Sequence, residues 1–280
     1  MAARIALALL ILLGLAACAA GNKSVQRQTL LDADSIPQHA VFAFRTNQND
    51  KVVFRGAIDQ AATGSSTGWG MLYPAPDVVS FIAAVGAHAA LSSGHQAKQL
   101  AQQQAVADAV LAPYRPTLDR ISHRQLLESA TTKKSYRHAT RIIEADAVDT
   151  DAWIVQTAPV FAMTQDRSSI VLDTAIQVFS PNDRERPAYQ NIVRVVSMPQ
   201  HGADLESMWL ENDGAALRKT LENQFLRSLD LAILDVTTDP MSREGYRTVR
   251  YRMGTSNRVE RGQVLREECG EVILRTLRGW

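Results

Sequence analysis

Alternating and continuous apolar runs predict two groups of β-strands in this chain. The runs 39–46 and 51–58 are separated by four polar residues, Asn-Gln-Asn-Asp, and predict a β-hairpin. The runs 152–164, 168–180 and 189–199 follow one another closely. A short Gln-Asp-Arg turn joins the first two of them, so we expect an antiparallel meander.

Helical periodicity is clearest at 213–235, where apolar residues return to one broad face and polar residues lie opposite. The apolar set comprises Leu217, Leu221, Phe225, Leu229, Ala232 and Ile233. Arg218 and Glu222 fall on the apolar side four residues apart, a spacing that predicts an ion pair between them.

Shorter helices are predicted upstream. An Ala- and Gln-rich stretch reaches about Ala112 and should end at the bend made by Pro113 and Pro116. Ser122 and Gln125 have the spacing of a capping box, which predicts a helix over 123–130.

The order of these elements predicts the α+β class, with a mostly antiparallel sheet and packed helices. Three further strands with charged outward faces are expected at 246–254, 258–269 and 271–279. We expect one domain from 37 to 280, with a helical excursion at about 77–130.

The N-terminus has the features of a secretory leader. Arg4 gives a short positive region, and the apolar run from Ile5 to Leu15 spans roughly 16 Å as a helix. A bilayer core needs about 30 Å, so this run fits the hydrophobic region of a signal peptide over residues 1–17.

The sequence Leu15-Ala16-Ala17-Cys18 resembles the lipobox of bacterial lipoprotein precursors. The resemblance implies a lipidated Cys18 as the first mature residue, followed by a tether over 18–36. Ala19, where inner-membrane lipoproteins carry Asp, implies sorting to the outer membrane. We therefore expect a periplasm-facing lipoprotein, in which Cys269 is a small buried residue.

Charge and metal-ligand patterns exclude several functional classes. The 30 basic side chains nearly equal the 29 acidic ones, and loss of Arg4 with the leader makes them equal, so no global field favours nucleic acid. The arginines of 243–278 alternate with glutamates, which predicts cross-strand ion pairs. No two of the six histidines are four residues apart, and we expect neither a metal site nor a cofactor.

Two patterns are compatible with catalysis but have simpler explanations. Gly64–Gly68 matches G-x-S-x-G with Ser66 as the serine, yet the flanking residues predict neither the strand nor the helix that a nucleophile elbow needs. Asp166, Asp173 and Asp183 are candidate acid–base carboxylates. Turn chemistry explains Asp166 and Asp183.

The apolar segment 69–91 is the candidate interaction site. Its helix, Val78 to Leu91, is too short to cross a bilayer and is apolar all round. It is either a core helix or an element that binds a partner, forms an oligomer or dips into a membrane. The candidate interface residues are Trp69, Tyr73, Val78, Val79, Phe81, Ile82, Val85, His88 and Leu91.

The sequence thus favours a non-enzymatic lipoprotein that binds a protein partner or a second copy of itself during envelope assembly. An alternative is a module that binds a small molecule or glycan in a cleft lined by Trp69, Tyr73 and Trp209. A third is a hydrolase that uses Ser66.

Overall fold

A computed structural model describes residues 28–29, 36–37, 39–58, 81–82, 95–133, 138–237, 245–268 and 270–277. Its helices and its two sheets, in which antiparallel pairs predominate, confirm the predicted α+β class.

The larger sheet has seven strands in the described part of the chain. They are β1 (Gln28–Thr29), β2 (Val41–Arg45), β3 (Val53–Gly56), β4 (Ala139–Ile143), β5 (Trp153–Met163), β6 (Ile170–Phe179) and β7 (Tyr189–Val196). Their order is β1-β7-β6-β5-β2-β4, and β3 also pairs with β5. The antiparallel pairing of β5 with β6 and of β6 with β7 confirms the predicted meander.

Helices and a 3-10 segment pack on one face of this sheet. They are α1 (His95–Asp108), the 3-10 segment Ala109–Tyr114, α2 (Arg115–Leu118), α3 (His123–Lys133) and α4 (Leu205–Thr237). The predicted capping box begins α3, because the backbone N–H of Ser122 donates to the Gln125 side chain over 3.1 Å and the N–H of Gln125 donates to Ser122 Oγ over 3.2 Å.

The predicted β-hairpin at 39–58 is wrong. β2 and β3 pair in parallel with the same edge of β5, from Phe42 opposite Trp153 to Val53 opposite Val160. The chain between them is longer than the matching part of β5, so it leaves the sheet as a loop. Asp50 in that loop accepts hydrogen bonds from the backbone N–H groups of His123 (3.1 Å) and Arg124 (2.7 Å), and thereby holds the start of α3.

The predicted helix at 213–235 is the second part of α4. A break at Glu211–Gly214 separates it from the first turns, and the residues with positive φ there are Asn212, Asp213 and Gly214. Asn, Asp and Gly are the residue types that tolerate this conformation best. After the break, buried residues lie three or four apart along one face, and they are Leu217, Leu221, Phe225, Leu229, Ala232 and Val236.

The predicted Arg218–Glu222 ion pair is wrong. Arg218 reaches back to the Asp213 carboxylate at 3.1 Å, because the break in α4 places that group beside it. Glu222 instead pairs with Lys133 of α3 and accepts a 2.8 Å hydrogen bond from Ser129. The partner of Arg218 lies in the break of α4, and the partner of Glu222 lies on α3. The spacing of four residues within α4 therefore decides neither pairing.

The two faces of the larger sheet have different compositions. The face under the helices carries large apolar side chains, which include Phe42, Phe44, Trp153, Phe161, Leu172, Ile176 and Tyr189. The opposite face is buried as well, but it carries small residues such as Ala158 and Ala175 together with Asp173 and Arg194. The charges of Asp173 and Arg194 are therefore buried on the face opposite the helices, where Val160 and Ile192 are buried as well.

The three predicted C-terminal strands are present, and they form a separate three-stranded sheet in the order β10-β9-β8, which the sequence did not predict. The strands are β8 (Tyr246–Met253), β9 (Ser256–Glu268) and β10 (Glu271–Thr276). Arg247 and Glu267 make a predicted ion pair between β8 and β9 at 3.1 Å. Arg275 and Glu271 pair instead with Asp235 and Arg227 of α4, so ion pairs also attach this sheet to the helix.

Candidate functional site

The predicted leader and Cys18 lie outside the described residues. The chain joins the fold within the predicted 18–36 tether, because β1 pairs with β7 through Gln28 opposite Gln190 and Thr29 opposite Tyr189. The first described contact of the body therefore comes ten residues after Cys18.

The candidate interface at 69–91 is described at only two positions. Phe81 and Ile82 have helical backbone; Phe81 is fully buried and Ile82 is half-buried. The remaining interface candidates lie outside the described residues, and they are Trp69, Tyr73, Val78, Val79, Val85, His88 and Leu91.

The two alternative hypotheses depend on Trp209, for a ligand-binding cleft, and on Ser66, for a hydrolase. Trp209 is buried in the core, where its indole N–H donates to the backbone carbonyl of Arg167 over 2.7 Å. It therefore supports the packing of α4 and does not line an open cleft. Ser66 lies outside the described residues.

His123 is a fully buried histidine at the start of α3. Its Nδ1 accepts from the backbone N–H of Asn47 at 3.2 Å, so its Nε2 carries the proton and donates to Thr157 Oγ1 at 2.8 Å. Burial lowers the pKa of His123 to about 4, against the smaller opposing effect of Asp50. The ring is therefore a neutral link between the 46–52 loop and β5.

Asp166 and Asp183 have the predicted turn roles. Asp166 accepts hydrogen bonds from the Thr164 hydroxyl at 2.6 Å and from the Ser168 backbone and side chain. Asp183 accepts from the backbone N–H groups of Glu185 and Arg186, both at 3.0 Å. Despite some desolvation, these hydrogen bonds lower the pKa of both carboxyl groups.

Asp173 has a role that the sequence analysis missed. It forms a two-pronged ion pair with Arg194 across β6 and β7, with both N–O distances at 2.6 Å and both side chains buried. Tyr251 of the C-terminal sheet lies in the field of this pair, and burial raises the pKa of its hydroxyl. The pair belongs to the contact between the two sheets.

A second missed cluster centres on Asp235 near the end of α4. Its carboxylate accepts from the Tyr189 hydroxyl at 2.9 Å and from Arg275 at 2.5 Å, with Asn191 at 3.4 Å. Asp235 therefore links β7, α4 and β10 at the corner where β1 joins the sheet.

The described residues include a cavity between α4 and the larger sheet, but its volume is only about 10 Å³. Its lining is apolar and includes Phe42, Phe44, Leu229 and Val236. Space of this size holds at most one water molecule. Among the described residues, no three His, Cys, Asp or Glu side chains are grouped as metal ligands would be.

No protein-family model matches the chain, and a search of curated proteins finds no significant match. Among the helices that the structure describes, none has both the length and the hydropathy needed to cross a membrane.

The neutral state of His123 predicts a specific pH dependence of stability. Because its folded pKa of about 4 lies below the unfolded value of about 6.5, the unfolded chain binds more protons between them. This contribution is complete above pH 6.5 and is lost as the pH falls to about 4, by about 3 kcal/mol. Urea unfolding of the wild type and of His123→Gln at about pH 4 and above pH 6.5 measures this loss of stability. An equal pH dependence in the two proteins would contradict the assignment.

The buried pair predicts that one substitution destabilises more than two. Asp173→Ala should reduce the free energy of unfolding by about 3–5 kcal/mol, because it leaves the Arg194 charge buried. The double variant Asp173→Leu with Arg194→Met should recover most of that loss. Chemical denaturation measures both, and a double variant as unstable as Asp173→Ala would show that the charges themselves are required.

Proposed function

We propose that the protein is a lipid-anchored lipoprotein of the outer membrane, faces the periplasm and acts as a non-enzymatic interaction or assembly module of the cell envelope. The observation that carries the proposal is the leader ending in Leu15-Ala16-Ala17-Cys18. A chain acylated at Cys18 would hold its folded body close to the leaflet. The ten Cα-to-Cα steps from Cys18 to Gln28 at the start of β1 reach about 35 Å at most.

The chemistry of the modification supports stable attachment. One acyl chain binds a bilayer only marginally, whereas two or more hold a protein firmly, at roughly 0.8 kcal/mol per buried CH₂. Lipoproteins of this kind carry a diacylglycerol on the cysteine sulfur and an acyl group on its new amino terminus. A short polar segment after the cysteine suits a flexible link to the domain.

The described candidates for chemistry have structural roles. His123 and Asp173 join separate parts of the fold, and Asp166 and Asp183 organise turns. Their structural contacts account for these residues without a reaction. We assign the interaction to the apolar segment 69–91 apart from Phe81, which is fully buried in the body, because the composition of the segment suits a partner or a second copy of the chain.

The anchor predicts that stable membrane attachment requires Cys18. Cys18→Ala, secreted behind a leader that general signal peptidase removes, should move from the membrane fraction to the soluble periplasm. Cys269→Ala with the native leader is the matched control and should stay with the membrane. Intact mass should show two or three acyl groups on the wild type and on Cys269→Ala, and none on Cys18→Ala. An unmodified Cys18 in native material would overturn the proposal.

The interaction role predicts crosslinks from the apolar segment. A photoreactive amino acid at Trp69 or Tyr73 in intact cells should yield one discrete adduct, with a partner protein or with a second copy of the chain. The control position is Val148, which is 90% exposed. Adducts that form at position 148 and not at position 69 or 73 would place the interaction outside the segment 69–91.

A further inference from the structure

One side of strands β8 and β9 is exposed from Tyr246 to Arg252 and from Asn257 to Arg261, and it ends at the half-buried Gln263 opposite Tyr246. Because side chains alternate along a strand, every second residue lies on this side. We call these residues the arginine face, and they are Tyr246, Thr248, Arg250, Arg252, Asn257, Val259 and Arg261. On the other side Met253 and Val264 are buried and Val249 and Tyr251 are half-buried, whereas Arg247 near the start of β8 is exposed.

Three positive charges on the arginine face lack acidic partners in the part of the chain that the structure describes. Arg250 and Arg252 are two residues apart on β8, and Arg261 lies opposite Thr248 on β9, diagonal to Arg250. Like charges placed this closely in a sheet repel each other. The neighbouring Arg247 and Arg275 do have acidic partners, so this concentration of unpaired charge is local.

Apolar side chains accompany these charges. Val259 is 59% exposed and lies directly opposite Arg250, and Tyr246 is 58% exposed in the same face. Leu277 is 61% exposed and donates its backbone N–H to the carbonyl of Arg261. The surface therefore combines guanidinium groups, an aromatic ring and aliphatic groups, a combination that suits the boundary between lipid headgroups and acyl chains.

The arginine face is connected to the corner where the tether joins the body. Thr29 of β1 lies opposite Tyr189, and the Tyr189 hydroxyl shares the Asp235 carboxylate with Arg275. Arg275 lies opposite Gln263 of β9, which in turn lies opposite Tyr246. The Tyr246 end of the arginine face therefore lies near the corner where β1 joins the body, and Arg250 and Arg252 lie further along the same strand.

We infer that the arginine face lies against the lipid leaflet and binds the phosphate groups of anionic phospholipids. The inference rests on the proposed lipid anchor and adds a second contact, which fixes the orientation of the body. Guanidinium groups suit this role because they donate paired hydrogen bonds to phosphate oxygens. The negative potential of an anionic leaflet would offset the repulsion among the three arginines.

The test measures how close the arginine face comes to lipid in the full, lipidated protein. A fluorophore is attached at Val259→Cys, or at the control Val148→Cys, in a Cys269→Ser background. The protein is placed in nanodiscs of phosphatidylcholine, with or without phosphatidylglycerol, that contain a spin-labelled quencher lipid. Quenching should be strong at 259 in discs with phosphatidylglycerol and weak at 148. It should decrease in 1 M salt, where surface charges are screened.

Charge variants separate a phosphate contact from simple proximity. Replacing Arg250, Arg252 and Arg261 by glutamine should abolish the difference between the two lipid compositions. The matched control replaces Lys51, Arg115 and Lys219, which are exposed elsewhere, and should preserve it. The last measurement uses non-lipidated protein, which carries Cys18→Ala and has had a secretory leader cleaved from it. Its partitioning onto phosphatidylglycerol vesicles should fall about 100-fold when Arg250, Arg252 and Arg261 are all replaced by glutamine.

The possible outcomes distinguish a failure of this inference from a failure of the proposed lipid anchor. If the protein enters nanodiscs but 259 is no more quenched than 148, the inference is wrong and the anchor stands. If Cys18 proves unmodified, the vesicle measurement decides, and equal binding by both triple variants overturns the inference. Protection of position 259 by a second copy or by an acidic protein, in place of lipid, also overturns it.

Discussion

The packing of α4 across the β5–β7 meander is the interaction on which the rest of the fold depends. Its apolar face covers the large side chains of the sheet, and two buried polar contacts fix its position. Gln224 donates to the backbone carbonyl of Ile170 at 2.7 Å, and Ser228 shares a 3.0 Å hydrogen bond with Thr174. The same helix holds the C-terminal sheet through Arg227 and Asp235. Displacing α4 would therefore expose the core and also break the contacts of the C-terminal sheet, which carries the arginine face.

Elements governed by local periodicity could be predicted from the sequence. The apolar face of α4, the capping box of α3 and the three-stranded meander depend on residues close together in the chain. The hairpin prediction failed because β2 and β3 pair with β5, more than a hundred residues away. A four-residue polar loop satisfies the local rules for a hairpin equally well, so only the long-range pairing decides between the two arrangements.

The contacts that the sequence did not predict differ in how clearly the sequence pattern indicated them. Asp173 and Arg194 face each other only in the register that the folded sheet adopts, and the sequence does not specify that register. Arg218 could not be assigned to Asp213 because a break in α4 brings them together. The arginine face had a detectable signal, since Arg250 and Arg252 share one side of a predicted alternating strand. The glutamates nearby suggested pairing, but Glu260 lies on the opposite side.

A lipid anchor changes how strong a second membrane contact has to be. On the proposed assignment, acyl chains would confine the body to the leaflet, and the arginine face would then bind at an effective concentration set by the ten-residue tether and not by bulk diffusion. Three arginines and a few exposed apolar groups, weak as a free binding site, are then sufficient to orient the domain. A stronger exposed apolar patch would lower the solubility of the body before it reaches a membrane. On the proposed assignment, the modest size of the arginine face therefore suits a contact that orients an already tethered protein.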